Sequence, residues 1–192
     1  MAQIARIWYN FAMTSYDKLY DEAIGYYGLV TVQQAKALGI TNTTLVKLAQ
    51  RGKLERLGYG LYRIDKYVPS ADGLDAYACA VARVGKSAYL WGPSVLAIHH
   101  LCPTTPSRLY VATTKRYRGK LPEGIVVRNN TPCTHVGNYE GIPVQSISDA
   151  ILSSQHIIML DRLLSATREA EERGLLDAIE RERITKALYR ND

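Results

Sequence analysis

The stretch Thr31–Ile64, TVQQAKALGITNTTLVKLAQRGKLERLGYGLYRI, changes its hydrophobic period twice. Val32, Ala35 and Leu38 recur at helical spacing, and Leu45, Leu48 and Ala49 do so again after a break. Thr31 with Gln34 has the spacing of a capping box, and Thr41 is the next cap. Gly39 and Gly52 stand where each helix would end in a left-handed residue. Beyond Gly52 the period falls to that of strands, Leu54–Leu57 and Leu61–Ile64, around a GYG turn. A preceding helix is predicted over Ser15–Tyr26, with Leu19, Ala23, Tyr26 and Tyr27 facing inward. Helix, helix, helix and hairpin in this order predict a winged helix-turn-helix over residues 13–66, with residues 1–12 as an N-terminal extension.

The polar stretch Asp65–Gly73 reads as a linker, and a second domain is predicted over residues 67–192. Its pattern gives an Ala-rich helix Leu74–Val84 and a helix starting near Pro93 that carries Leu96, Ala97 and Leu101 and stops at CPTTP. Strands follow at Ser107–Thr114 and Ile125–Asn130, then two more around a Tyr139–Glu140–Gly141 turn. Helices at Ser148–Leu152, Ile158–Arg173 and Asp177–Tyr189 close the chain. The fold class is therefore α+β, with helices flanking a small, mostly antiparallel sheet in the second domain.

Charge sharpens this picture. The chain of 192 residues carries a net charge of +6, which favours a polyanionic partner. Residues 13–66 hold eight basic against five acidic side chains, and residues 105–130 hold six against one. The second predicted helix of the pair displays Thr41, Asn42, Thr43, Thr44, Lys47, Gln50 and Arg51, with no acid among them. Amides and hydroxyls suit base edges, whereas ammonium and guanidinium groups suit phosphates. Asn42, Thr43 and Thr44 are the expected base readers, with Lys47 on base or backbone, and Lys53, Arg56, Tyr59 and Arg63 on the DNA backbone. The basic loop TKRYRGK offers an additional polyanion contact through Lys115, Arg116, Tyr117, Arg118 and Lys120.

Enzyme signatures are weak. No G-x-S-x-G occurs, and VGKS lacks the upstream glycine of a phosphate loop, because Ala80 stands there. Glu169, Glu171 and Glu172 alternate with Arg168 and Arg173 as on a solvated helix face. His99, His100, Cys102, Cys133 and His135 do not have the spacing of a zinc finger, and adjacent histidines on a helix diverge by about 100°. No catalytic residue, metal or cofactor is expected. Three scattered cysteines, with no secretory leader or apolar run of spanning length, point to the cytoplasm and to no membrane partner.

The segment GLVTVQQAKALGITNTTLVKLAQRGKLERLGYGLYRI resembles the N-terminal winged helix of the AbiEi antitoxins of type IV toxin–antitoxin, or abortive infection, systems. The resemblance continues through SAYLWGPSVLAIHHL, RLYVATTKRYR, YEGIPVQSISDAIL and ERGLL, from about Tyr26 to Leu176. It implies a phage-defence antitoxin that binds inverted repeats in its own promoter as a repressor. It also implies a C-terminal domain that counters a nucleotidyltransferase-like toxin, and it leaves direct contact between the two open. Two copies on double-stranded DNA are expected, as a dimer or as monomers side by side. The alternative is a stand-alone winged-helix regulator whose C-terminal domain senses a ligand; a toxin-type reading frame immediately downstream would tell the two apart.

Overall fold

The computed structural model describes residues 13–69, 71–101, 108–133 and 135–190. The expectations for residues 1–12 and for Cys102 and the CPTTP stop lie outside them. The fold is α+β, in two compact units that divide between Arg83 and Val84.

In the first unit, α1 (Ser15–Ile24) is capped by Thr14 and Asp17, each side chain bonding the other's backbone. The strand β1 (Leu29–Thr31) leads straight into α2 (Val32–Ala37). Thr31 and Gln34 form the predicted capping box, with Gln34 N donating to Thr31 Oγ1 at 3.2 Å and Thr31 N to Gln34 Oε1 at 2.9 Å. Gly39, at φ 75°, turns the chain into α3 (Asn42–Gln50). The hairpin β2 (Leu54–Gly58) and β3 (Leu61–Ile64) follows, with a bulge between Arg56 and Gly58. The sheet order is β1-β3-β2, antiparallel throughout.

Leu19, Ala23, Val30, Ala35, Leu45, Leu54, Tyr62 and Ile64 form the core of this unit, and Leu48 and Ala49 pack against it. Tyr26 and Tyr27, expected inside, are half-buried. Burial pushes the Tyr26 phenol up to about 12, with Tyr27 and Cys79 adding to the shift. The helix α4 (Leu74–Val84) belongs with these elements up to Arg83. The Arg83 guanidinium donates to the Leu57 carbonyl, and the Tyr67 hydroxyl donates to the Asp75 carboxylate. The polar stretch 65–73 is thus a connection within the first unit. The break between units comes after the Ala-rich helix, whereas composition places it before.

The second unit holds a five-stranded sheet in the order β6-β5-β4-β8-β7. Its strands are β4 (Ala88–Leu90), β5 (Leu109–Thr113), β6 (Ile125–Arg128), β7 (Val136–Tyr139) and β8 (Ile142–Gln145). β4–β5 and β7–β8 are antiparallel, whereas β4–β8 and β5–β6 are parallel. This corrects the expectation of a mostly antiparallel sheet: the sheet is evenly mixed. The cause lies in the basic loop. Residues 114–124 do not fold back as a hairpin connection but cross over to set β6 alongside β5 in the same direction, the longer route that parallel neighbours require. Leu90, Val111, Ile142 and Val144 share one buried face of the sheet. The helices of this unit are α5 (Pro93–Ile98), α6 (Ile147–Ser153), α7 (Leu160–Glu172) and α8 (Ala178–Arg190). They bury Val95, Leu96, Ala150, Ile151, Leu163, Ala166, Ile184 and Leu188. On the other sheet face Tyr89, Trp91 and Ala112 cluster, with Tyr110 and Cys133 packed beside them.

Candidate nucleic-acid interface

Packing decides which side of α3 faces outward. Leu45 is fully buried, with Thr44, Leu48 and Ala49 half-buried. That leaves Asn42, Thr43, Val46, Lys47 and Gln50 exposed, and Arg51 just past the helix end. No acidic residue lies in the helix. The Thr41 hydroxyl is spent on the cap: it accepts from Thr44 N at 3.3 Å and lies 3.0 Å from Thr44 Oγ1. Thr41 and Thr44, both expected DNA contacts, therefore hold each other and set the helix end. Among the described residues the side chains of Asn42, Thr43, Lys47 and Gln50 make no hydrogen bond or ion pair. Their donors and acceptors face water, available to a partner.

The hairpin stands immediately after this helix. Tyr59 is at its tip, 99% exposed, beside Gly60 at φ 67°. Arg56 is exposed on β2. Arg63 sits differently. It lies on the middle strand, opposite Leu29 of β1 and Glu55 of β2, and its Nε is buried without a hydrogen-bond partner among the described residues. Lys53 is also engaged. Its ammonium pairs with Asp65 at 3.5 Å and lies 5.7 Å from the centre of the Tyr16 ring, while the Tyr16 hydroxyl donates to the same carboxylate. The Tyr16 bond and the Lys53 charge hold the Asp65 carboxyl below the usual carboxylate range. This small network at the base of the hairpin joins residues far apart in sequence, and no local pattern announces it.

In the second unit the basic loop is pinned by its backbone. Lys115 N donates to Thr113 Oγ1 at 3.2 Å, and Tyr117 N donates to Asn129 Oδ1 at 2.7 Å. Lys115, Arg116, Arg118 and Lys120 are exposed, and none takes part in an ion pair among the described residues. Tyr117 is half-buried, its ring folded against Gly119. Arg128, on the adjoining strand, lies 5.0 Å from the centre of the Trp91 ring, a cation–π contact the sequence pattern did not reveal. A cavity of about 360 Å³ lined by Arg183, Lys186, Ala187 and Arg190 gives α8 a basic face, although the C-terminal third is acidic on average.

The histidine and cysteine residues weighed as metal ligands have other surroundings. His99 packs edge-on against Tyr139, 4.6 Å between ring centres, and its carbonyl accepts from the Arg173 guanidinium at 2.7 Å. The Cys133 thiol donates to the His135 carbonyl. Among the described residues no three potential ligands converge. Burial, then the Arg173 and His100 charges, hold the His99 imidazole below its ordinary value of about 6.5. As pH falls below that ordinary value the unfolded chain takes up the proton before the folded one does. The part of the second unit's stability that His99 contributes is thus complete above it and declines below it until the folded imidazole also protonates. Thermal unfolding between pH 5 and pH 7.5 checks this, with the acid-side loss shrinking in His99→Gln.

The first unit is an α+β module that sets an acid-free, hydrogen-bonding helix face beside a glycine-turned hairpin. Residues 17–64 match the family model described as "Transcriptional regulator, AbiEi antitoxin". That match lies within the first unit and bears out the resemblance to AbiEi antitoxins over those residues; it supports a regulator and antitoxin role. No curated protein matches the chain. Among the described residues no helix is long and apolar enough to cross a membrane.

Proposed function

We propose that this chain is the antitoxin of a type IV toxin–antitoxin system, acting in the cytoplasm as repressor of its own operon. The first unit acts as a winged helix-turn-helix: α3 enters the major groove of double-stranded DNA, and the β2–β3 hairpin lies along the backbone. What supports this above all is the exposed α3 face of Asn42, Thr43, Lys47 and Gln50, free of acid and of internal partners. Thr41 and Thr44 shape the helix end that delivers those groups, Arg51, Lys53 and Arg56 supply charge to phosphates, and Tyr59 reaches outward from the hairpin tip. Arg63, half-buried on the middle strand, adds its charge on the same DNA backbone. Two copies cover an inverted repeat in the promoter. The second unit counters a nucleotidyltransferase-like toxin, and its loop Lys115–Lys120 is a further polyanion contact.

The test is a gel-shift titration with duplex DNA from immediately upstream of the protein's own reading frame. The reading predicts retardation at concentrations where a scrambled fragment of the same composition stays free; equal affinity for both removes the operator from the account. Arg56→Ala should make the log-affinity against log-salt plot shallower by about 0.9 per bound copy, the signature of one lost phosphate contact. Co-expression of the full chain with the protein of the adjacent reading frame tests the antitoxic role. Growth that is not restored rules it out.

A further inference from the structure

On α3 the exposed residues 42, 43, 46, 47 and 50 lie on one face, and Val46 stands near its middle, one turn from Asn42 and one from Gln50. It is the only one of the five without a hydrogen-bonding side chain, and it is 39% exposed. The core accounts for it least: Leu45 is buried, Leu48 and Ala49 pack against the core cluster of the first unit, and Val46 is the most exposed apolar residue of the helix. Helix propensity does not account for it, because a β-branched residue fits a helix surface less well than the lysine or glutamine beside it. A lone exposed valine is common on protein surfaces. One set midway between Asn42 and Gln50 along a helix proposed to face the groove, with Thr43 and Lys47 on its outer side, has a specific chemical counterpart: the only apolar group on the major-groove edge of a standard base pair, the 5-methyl of thymine.

We infer that Val46 is a specificity-determining residue that reads a thymine 5-methyl group in the operator. The inference rests on the operator-binding reading above and deepens it. Asn42 and Gln50 fit the adenine edge of an A·T pair, which presents N7 and the 6-amino group, and the thymine of such a pair offers its methyl in the same groove. The amides and the valine together therefore favour A·T pairs at the centre of each half-site.

The experiment uses the full chain and the promoter fragment in two versions, made with thymidine or with deoxyuridine triphosphate in the amplification. The second lacks the thymine methyls throughout the amplified segment, wherever in it the operator lies. Wild type should bind the deoxyuridine fragment about four-fold more weakly for each methyl contact, the factor expected for withdrawing one methyl-sized apolar contact. Val46→Ala, which removes both γ-methyls and leaves only the Cβ, should lose most of the preference, and Val46→Thr, which keeps one γ-methyl, should retain part of it. Since Val46 is exposed, these variants should unfold close to the wild-type temperature, which is measured alongside. Wild type that binds both fragments equally, or Val46→Ala that keeps the full preference, overturns the inference while leaving operator binding intact. Failure of wild type to retard either fragment overturns the operator reading and this inference with it.

Discussion

Lys47→Glu is expected to weaken binding to the promoter fragment by about a hundred-fold, with little change in folding. Lys47 is exposed in the last turn of α3, its ammonium has no partner among the described residues, and no acid on that helix would compete for it. In the proposed complex it meets either a guanine edge or a phosphate. Losing a direct contact of that kind costs about 1–3 kcal/mol, and an inserted carboxylate adds repulsion from the backbone. With two copies on an inverted repeat the loss is counted twice. The cost to the free protein is far smaller. A carboxylate in the last turn of a helix opposes its dipole, worth under about 1 kcal/mol at an exposed site. Gel shift and thermal unfolding on the same sample separate the two effects. Wild-type affinity in a folded Lys47→Glu protein would remove α3 from the groove. The same full-length variant, co-expressed with the neighbouring protein, should lose repression and keep antitoxicity, since the change lies wholly in the first unit.

Elements with strong local chemistry were legible in the sequence. The Thr31–Gln34 box, the Gly39 turn, the strand Leu61–Ile64 and the helix Leu74–Val84 all follow from spacing and caps that act within one helical turn or one hairpin. Elements that exist only through distant partners were not. β1 has three residues and is a strand because Leu29–Thr31 pairs with Leu61–Arg63. β4, the AYL before Trp91, is not among the strands expected from the sequence, yet it is the central strand of the second sheet. Strand direction was lost for the same reason: nothing in residues 114–124 says whether the loop returns or crosses over.

The candidate surface follows the same division. Exposure of Asn42, Thr43, Lys47 and Gln50 was readable because the Leu45, Leu48, Ala49 stripe fixes the opposite face. The engagement of Lys53 was not, since Asp65 and Tyr16 reach it from just beyond the second strand of the hairpin and from the first helix. Nor was the position of Arg63, which alternation alone puts on an outer face and the third strand draws toward the interior. The exposed polar residues of the candidate surface were thus easier to find than the contacts that fix its surroundings.

Gly28→Ala should cost the first unit about 3 kcal/mol, the largest folding effect expected of any single-methyl addition here. Gly28 lies at φ 68°, a conformation that costs a residue with a Cβ about 1–2 kcal/mol. The space is also taken: an added Cβ would lie 2.6 Å from the Cβ of Tyr67 and against its ring. Tyr67 cannot easily withdraw. Its ring packs on the core, its amide donates to the Ile64 carbonyl at 3.3 Å, and its hydroxyl is bonded to Asp75. Overpacking of this kind adds about 1–3 kcal/mol. Gly28 is also the junction between α1 and the sheet. Its amide closes the end of α1 on the Ala23 carbonyl at 2.9 Å, and its carbonyl accepts from Ile64 N at 3.0 Å. A shift there pulls the first helix away from β3, and through β3 it disturbs the hairpin that follows α3. A unit of this size has little stability in reserve, so promoter binding should fail at 37 °C for want of a folded unit and recover on cooling. Lys47→Glu should fail at both temperatures. Hydrogen exchange should show lost protection in β1 and β3 while the core strands of the second unit keep theirs. A Gly28→Ala protein that unfolds within about 2 °C of wild type would mean that Tyr67 yields freely and that this junction does not govern the first unit.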